Sequence, residues 1–372
     1  MDLKLIVNIV LTVLIYYLYY LYFKIKTSEK YHAFIRLCFL DKETVEKYMK
    51  SYDILFDRDD MLNSLDDYKK KVKLNGYKID NQSEKTVDCY FILKDLCTLG
   101  NVQKMYIPPL LDNTKNLPEN QNLTEQLTAK HLNVREDETI LELGCGCGQI
   151  ADNMSNITNC NVYGINIDDT QIVSAINYSK KHDNKKTHFK IGDFNKPLEF
   201  EDNYFDGIYT VGAPLTYSNN LVSLFKEMYR IVKPGKFICL QEVTLLDNFN
   251  KQNEKHLELA RLARMVMAAG GLWHNKYWEK AAKKAGFEII ISEVTKTPDN
   301  LPVPDLPLLK KEHEHYGNLS KYIEYLNYIP FFPTHLRKLF QRLRMGGDAL
   351  IEAEQHELLT MNWQFVFKKP EN

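Results

Sequence analysis

The residues that most directly suggest chemistry are three glycines at the end of an apolar run. The run LELGCGCGQI occupies residues 141–150 and contains Gly144, Gly146 and Gly148, with Glu142 two positions before the first glycine. Glycines let a backbone approach a ligand where a Cβ atom would collide, and the turn delivers amides to a helix N-terminus. The G-x-G-x-G spacing differs from the G-x-G-x-x-G loop that binds a pyrophosphate. An acid at position 142 suits a cationic amino-acid ligand, although a plain strand-turn is the alternative.

Polar and aromatic residues follow the next two apolar runs at the intervals that a parallel sheet requires. Asn166, Asp168 and Asp169 stand where polar groups can hydrogen-bond a ribose at the carboxyl edge of the sheet. Asp193 can accept a hydrogen bond from an adenine amine, and Phe194 can flank the ring. Taken singly, each acid is typical of a turn or a helix cap. In this order after the glycine loop, they predict a site for S-adenosylmethionine.

Elements of alternating type must position these residues. Apolar runs of strand length alternate with helix-length segments, which indicates a parallel sheet built from βαβ units. We expect an α/β fold, a seven-stranded doubly wound (Rossmann-like) sheet. The predicted strands cover residues 139–143, 161–166, 187–192, 205–211, 237–243, 287–293 and 363–368.

The composition favours a folded protein with a small or apolar ligand. The 372 residues are 44% hydrophobic and 26% charged, and the formal net charge is -1. A dedicated nucleic-acid binder normally has a basic excess, so nucleic acid is not a predicted partner. The seven cysteines show no paired metal spacing, and Cys145 and Cys147 lie inside the glycine turn. We predict reduced thiols in a cytosolic compartment and no metal site.

The N-terminal segment has the composition of a membrane anchor. Residues 5–23 read LIVNIVLTVLIYYLYYLYF, which is about the length that spans a bilayer. A cleaved signal peptide is the alternative, but the run is longer than a usual h-region and no small-residue cleavage site follows. Because three lysines follow the run and one precedes it, the larger part of the chain is expected in the cytosol. We therefore expect an N-terminal transmembrane helix and a single-pass membrane protein.

The whole chain divides into four predicted regions. Residues 1–26 form the anchor, 27–120 an N-terminal helical, substrate-side region, 121–295 the cofactor-binding domain, and 296–372 a lid or lipid-binding region with the last strand. The connection 296–358 is far longer than a usual loop and predicts a helical insertion before the last strand. Its basic, aromatic stretch 322–344 can lie on an anionic membrane, roof an apolar pocket, or pack as an ordinary amphipathic helix.

With these motifs the chain resembles the class I S-adenosylmethionine-dependent methyltransferases and, within them, the sterol methyltransferases. The resemblance covers about residues 86–295 and the C-terminus, and rests on LELGCGCG, GINIDDTQI, IGDFNKPLEFEDNYFD, EMYRIVKPG, YWEKAAKKAGFEII and LLTMNWQFVFKKP. It implies methylation of a sterol, at carbon 24 of the side chain, by an enzyme of the endoplasmic reticulum. It also implies cofactor contacts from Gly144, Gly146, Asn166, Gln171, Asp193 and Phe194. Glu142, Gly148 and Asp168 complete the predicted cofactor site.

The chain departs from this family on the substrate side. Where the family has an acidic Glu-Ala-Thr-type segment, this chain reads VGAPLTYS, with Gly212 at the acidic position. The family's aromatic, glycine-containing stretch has become CTLGNVQKMY at residues 97–106. Carbon 4 of a sterol, next to an enolisable ketone, is therefore an alternative methylation site. Two other functions stay open: methylation of another lipid, such as a phospholipid amine or quinone, and a non-catalytic scaffold that binds S-adenosylmethionine.

Catalytic candidates follow from the chemistry of alkene methylation. Attack on the methyl group leaves a carbocation that aromatic faces can stabilise and that a base must finally deprotonate. Tyr209, Tyr217 and Trp273 are candidates for the aromatic lining, and Glu242 or His274 for the proton acceptor. The alternative is that the tyrosines are packing residues and that Glu242 is a surface acid.

Overall fold

The structure is a computed structural model that describes most of the chain from Tyr17 onward. The described residues are 17–371 without 20, 21, 23, 72–78, 80, 101, 103, 213, 297–305, 327 and 329–331.

A seven-stranded sheet forms the centre of the molecule. Its strands are β1 (Thr139–Leu143), β2 (Asn161–Asn166), β3 (Thr187–Ile191), β4 (Phe205–Thr210), β5 (Val232–Leu245), β6 (Glu288–Val294) and β7 (Leu359–Lys368). The spatial order is β3-β2-β1-β4-β5-β7-β6. The strand order reverses beside β1, which makes the sheet doubly wound and opens a crevice at the carboxyl ends of β1 and β4.

The predicted seven strands are confirmed, but the expectation of an all-parallel sheet is wrong. Strand β7 runs antiparallel to both β5 and β6, while β1 to β5 pair in parallel. Strand β5 also begins at Val232, earlier than predicted, because the Pro-Gly pair lies within the strand rather than before it. Gly235 takes a φ of +74° there, and its amide donates to the carbonyl of Lys369 in the chain after β7.

Helices cover both faces of this sheet and the carboxyl ends of its strands. They are α1 (Glu29–Cys38), α2 (Lys42–Phe56), α3 (Leu65–Lys69), α4 (Gln82–Leu99), α5 (Leu117–Leu132), α6 (Gln149–Thr158), α7 (Asp169–Lys181), α8 (Leu221–Ile231), α9 (Glu254–Val266), α10 (Asn275–Ala285), α11 (Leu306–Leu326) and α12 (Thr334–Gln355).

Side chains along each strand alternate between the two faces of the sheet, so the core has one part on each face. Leu141 of β1 packs in a cluster with α8 and α10, whereas its neighbour Ile140 packs in a cluster with α5 and α6. Successive side chains of a strand point to opposite faces, so a strand covered on both sides reads as a continuous apolar run. All six residues of β4 are buried for this reason.

Helices from the two ends of the chain share one further core. Leu37 of α1, Tyr52 of α2, Leu96 of α4 and Phe340 of α12 belong to the same buried cluster. Tyr217, which follows β4, belongs to the same cluster. This helical layer therefore lies over the carboxyl ends of the strands. The long connection before β7 therefore contains α11 and α12 and returns to the N-terminal helices.

The membrane-spanning helix of the predicted fold class is wrong. In the part of the chain that the structure describes, no helix has the length and apolar character needed to cross a bilayer. Residues 5–16 of the predicted span lie outside the described residues, and Tyr17, Leu18 and Tyr19 are exposed. The corrected fold class is a Rossmann-like α/β fold with a mixed sheet.

Candidate active site

A cleft lies at the carboxyl ends of β1, β2 and β4 and contains about 1030 Å³ of empty space. Its walls come from the loops after these strands, from the loop after β3, and from the first two turns of α4. The predicted binding residues that border it are Gly144, Gly146, Asn166, Asp168, Gln171, Asp193, Phe194 and Tyr217. Residues separated by more than seventy positions in the sequence thus share one site.

The glycine loop needs its glycines for two different reasons. Gly144, Gly146 and Gly148 all have positive φ, at +78°, +52° and +79°, a conformation that favours glycine. Gly144 and Gly146 border the cleft, so their backbone is open to a ligand. Gly148 instead faces α7, because a Cβ atom there would lie 2.7 Å from the Cβ of Ala175.

Glu142 supports this loop from below. The side chain is 1% exposed and accepts a hydrogen bond of 3.1 Å from the hydroxyl of Tyr209. Burial raises the pKa of the Glu142 carboxyl to about 8, against a smaller opposing effect of the Tyr209 hydrogen bond. Neither residue is among those that border the cleft. Within the described structure, Glu142 and Tyr209 therefore form a buried pair behind the loop.

A chain of hydrogen bonds fixes the polar residues after β2. Asn166 donates from Nδ2 to Oε1 of Gln171 at 3.2 Å, and Gln171 donates from Nε2 to Oδ2 of Asp168 at 3.2 Å. The other carboxylate oxygen of Asp168 accepts from the amide of Thr170 and caps α7. Asp169, by contrast, is exposed at the start of that helix. Three side chains are thus held at the position predicted for a ribose.

The loop after β3 presents a carboxylate and an aromatic ring. Asp193 accepts from the amide of Asn195 at 2.9 Å and from the hydroxyl of Ser83 at 3.3 Å. Phe194 is half-buried and packs against the core clusters on both sides of the loop. An acceptor and a flat apolar face in this position suit an adenine ring. Together with the glycine loop, the donor and acceptor set fits S-adenosylmethionine.

Helix α4 contributes residues that the sequence did not mark. Ser83, Val87 and Tyr90 border the cleft from successive turns, at the spacing of one helix face. Lys104 also borders the cleft, with Nζ 2.6 Å from Oε1 of Glu125, whose side chain is fully buried. The helical spacing of these three residues could have predicted that they share one face of α4. No sequence pattern distinguishes Lys104 from the other lysines.

A second cavity adjoins the cleft. Tyr90, Met105 and Gly212 border both spaces. Side chains from α4, β5, α9, α11 and α12 form its remaining walls, and most of them are apolar. The two cavities together provide a polar site and an apolar site that meet at three residues.

The predicted catalytic residues are not all brought together. Tyr217 borders the cleft, and its hydroxyl donates to the carbonyl of Ala268 at 2.6 Å. Tyr209, Glu242 and His274 are absent from the walls of both described cavities. His274 instead caps α10 and lies 2.9 Å from Asp247.

Glu242 and Trp273 have structural surroundings. Glu242 is fully buried and accepts from the hydroxyl of Thr210 at 3.0 Å, and burial raises the pKa of its carboxyl to about 8. It is therefore not a surface acid, but it does not face the cleft. Trp273 is buried in the sheet core beside Trp278.

Comparison with known proteins agrees with this fold. Residues 135–286 match the model of a methyltransferase domain family. The sterol 24-C-methyltransferase of Saccharomyces cerevisiae is 25% identical over 349 residues, which are 89% of this chain and 86% of the relative. The sterol 24-C-methyltransferase of Pneumocystis carinii is 29% identical over 264 residues, 66% of this chain and 69% of the relative.

Solved structures share the fold. Phosphoethanolamine N-methyltransferase 2 of Haemonchus contortus, in complex with S-adenosylmethionine, superposes with a TM-score of 0.54 at 19% identity, covering 78% of this chain and 59% of that chain. The cyclopropane synthase MmaA2 of Mycobacterium tuberculosis gives a TM-score of 0.55 at 15% identity, covering 70% and 89%.

Fold, cleft and family match define the class: the chain is an S-adenosylmethionine-dependent methyltransferase. Over most of its length it resembles the sterol 24-C-methyltransferases in particular. The cofactor predicted from the glycine loop and the acids after β2 and β3 is confirmed. The individual contact residues stay predictions.

Proposed function

We propose that this enzyme transfers a methyl group from S-adenosylmethionine to a carbon atom of a sterol. The observation that carries the proposal is the apolar cavity that meets the cofactor cleft at Tyr90, Met105 and Gly212. A phospholipid amine would bring a charged headgroup to that border, whereas a sterol brings an apolar skeleton. The similarity to sterol 24-C-methyltransferases over 89% of the chain supports the same substrate class.

The enzyme's own residues act mainly by alignment. When bound, the cofactor supplies an electrophilic methyl group for an in-line displacement, which requires near-attack geometry and exclusion of water. The glycine loop and Asp193 hold and orient the cofactor in the cleft. Helices α11 and α12 cover the apolar cavity and exclude water. No covalent nucleophile from the chain is required.

We place the acceptor carbon at position 24 of the sterol side chain. Tyr90 borders both cavities and Tyr217 borders the cleft, and their ring centroids are 6.2 Å apart. Burial raises the pKa of the Tyr90 hydroxyl to about 12, so the side chain remains neutral. Neutral aromatic faces suit the carbocation that forms when a side-chain alkene attacks the methyl group. Methylation at carbon 4 would instead need a base beside an enolisable ketone.

Glu242 acts in this proposal as a positioning residue rather than a proton acceptor. Its carboxyl accepts from the hydroxyl of Thr210 at the end of β4 and lies beside the backbone of Leu215. Thr210 precedes the turn Pro214–Tyr217 and Leu215 lies within it, and Pro214 and Tyr217 of this turn border the cofactor cleft. Glu242 therefore holds the turn that carries Tyr217.

We also propose contact with a membrane surface, since a sterol must be drawn from lipid. Tyr322 and Tyr325 at the end of α11 and Tyr328 beyond it are 68%, 73% and 87% exposed. Arg337 and Lys338 are exposed on the first turns of α12. Aromatic and basic side chains of this kind suit an anionic interface. Location at the endoplasmic reticulum stays a prediction.

Filling the apolar cavity tests the substrate site directly. We expect Leu93→Trp and Leu343→Trp to abolish sterol methylation, because both side chains border the second cavity but not the cleft. The dissociation constant for S-adenosylhomocysteine should stay unchanged, which also reports that the variants are folded. Val173→Trp, at an exposed site on α7, is the matched control. Full sterol turnover by both cavity variants would contradict the proposal.

A further inference from the structure

A single cation lies in the wall of the cofactor cleft. Among the described residues that border this cleft, Lys104 is the one basic side chain, and Asp168 and Asp193 are the two acids. Lys104 directly precedes Met105, which borders both the cleft and the second cavity. No step of the proposed methyl transfer uses the charge of this lysine.

A fully buried carboxylate holds the Lys104 side chain. Nζ lies 2.6 Å from Oε1 and 2.7 Å from Oε2 of Glu125, whose side chain is 0% exposed. Glu125 also accepts hydrogen bonds from the hydroxyl of Tyr106 at 2.9 Å and from the side-chain amide of Asn153. Hydrogen bonds from three side chains therefore fix the position of this carboxylate.

The ammonium group of Lys104 has one donor more than Glu125 uses. An ammonium group has three N–H donors, and the two oxygens of Glu125 accept from two of them. Lys104 borders the cleft and Glu125 does not, so the lysine side chain lies between the cleft and the buried carboxylate. Because the pairing with Glu125 already restrains this side chain, a ligand on the third donor costs little further ordering.

The cofactor carries one group that the acids of the cleft cannot bind. S-adenosylmethionine has a carboxylate at the end of its methionyl chain. Asp168 and Gln171 lie at the position predicted for the ribose, and Asp193 and Phe194 lie at the position predicted for adenine. A carboxylate that leaves water without a partner is strongly destabilised. Lys104 supplies the opposite charge in this cleft.

We propose that Lys104, held by Glu125, binds the carboxylate of the methionyl part of S-adenosylmethionine. Lys104 then distinguishes the cofactor from adenosyl compounds that lack this carboxylate. Glu125 is a positioning residue, since it touches Lys104 and does not border the cleft. The contact is independent of the methyl acceptor, so its test needs no lipid.

A lysine that only neutralises Glu125 would behave differently. Its loss would lower the stability of the fold and would weaken the binding of all adenosyl ligands alike. A lysine that binds the carboxylate weakens only the ligands that carry this group. The two roles therefore separate when two ligands that differ in the carboxylate alone are compared.

The test measures the dissociation constants of S-adenosylhomocysteine and of its decarboxylated analogue by isothermal titration calorimetry. For wild type we expect S-adenosylhomocysteine to bind about tenfold to hundredfold more tightly, which corresponds to a hydrogen bond between charged groups. Lys104→Met should bring the ratio of the two constants close to one by weakening S-adenosylhomocysteine alone. Lys104→Arg retains the positive charge and should restore part of the ratio. Lys94→Met is the control, since Lys94 borders neither cavity.

Two outcomes would overturn the inference. One is a ratio that Lys104→Met leaves at the wild-type value. The other is an equal weakening of both ligands, which is the result expected for a lysine that only neutralises Glu125. Because Lys104→Met leaves a buried carboxylate without its cation, the double variant Lys104→Met, Glu125→Gln is measured beside it. We expect the double variant to show the same selective loss of S-adenosylhomocysteine affinity.

Discussion

At the residue scale, the cofactor site contains residues whose types and spacing in the sequence predicted cofactor binding. Asp193 and Phe194 border the cleft at the position predicted for adenine, and Gly144 and Gly146 border it from the glycine loop. Glu142 and Gly148 pack behind the loop and do not border the cleft, so their contact with the cofactor stays a prediction. The sequence shows that an acid precedes the glycines, but only packing decides which way its side chain points.

Asp193 provides a direct test of the adenine side. We expect Asp193→Ala to raise the dissociation constant for S-adenosylhomocysteine about tenfold or more, since a hydrogen bond to a charged group is worth about 1.5–3 kcal/mol. Isothermal titration calorimetry measures the change. Asp169→Ala is the control, because that carboxylate is exposed at the start of α7. Equal affinity of wild type and Asp193→Ala would contradict the assigned contact.

Glu142 predicts a pH dependence of stability. Its pKa rises from the usual 4.5 to about 8 in the folded chain because of burial. Between these values the folded state holds a proton that the unfolded state releases. The free energy of unfolding therefore falls as pH rises through this window, by up to about 1.4 kcal/mol per pH unit. We expect Glu142→Gln to flatten this slope in urea denaturation at pH 5.5 and pH 8.

The slope will not vanish in Glu142→Gln, because burial also raises the pKa of Glu242 to about 8. Glu201→Gln, in an exposed turn, is the control and should leave the slope unchanged. An identical slope in wild type and Glu142→Gln would mean that Glu142 is not protonated in the folded protein.

At the element scale, the sheet was predictable because its strands are short apolar runs between clear turn signals. Strands β1 and β2 have the predicted bounds. The direction of β7 was not predictable, since it depends on where α11 and α12 return the chain. Helix α4 was predicted only as part of the helical region 27–120, because its contacts with the cleft come from the tertiary fold.

Helix α4 connects the two cavities, and Tyr90 borders both. We expect Tyr90→Leu to lower kcat for sterol methylation about tenfold, because an aromatic face can stabilise a cation by about 0.5–2 kcal/mol. Tyr90→Phe should retain most of the activity, as it keeps the ring. The neighbouring Phe91 is 45% exposed, so Phe91→Leu is the control. A normal kcat in Tyr90→Leu, measured with saturating cofactor, would contradict the role of the ring.

At the scale of the whole molecule, helices from both ends of the chain cover the open end of one sheet. Residues of α1, α2, α4 and α12 share a buried cluster with Tyr217 beside the cleft. The sequence predicted a helical, substrate-side region over residues 27–120 but not its contacts, because these contacts span about 300 positions. For example, His335 of α12 lies 2.8 Å from the carbonyl of Leu37 in α1. The substrate cavity is therefore a product of the complete chain.

The exposed tyrosines near the end of α11 predict surface binding to lipid. We expect the triple variant Tyr322→Ser, Tyr325→Ser and Tyr328→Ser to bind phosphatidylcholine–phosphatidylserine vesicles more weakly than wild type, because it loses aromatic area at the interface. Vesicle sedimentation measures the bound fraction. Ile191→Ser, at an exposed site on β3, is the control. Equal sedimentation of the triple variant and wild type would exclude this surface as the membrane contact.

The most direct test of the central claim is transfer of a radiolabelled methyl group from S-adenosylmethionine by the purified full chain. The acceptors are sterols with and without a side-chain double bond or a 3-ketone, with phosphatidylethanolamine as the control lipid. We predict label only in sterols that have the side-chain double bond, and a product methylated at carbon 24. Label in the 3-ketosterols regardless of the side chain would place methylation at carbon 4. Label in phosphatidylethanolamine, or in no lipid while the cofactor binds, would contradict the proposed function.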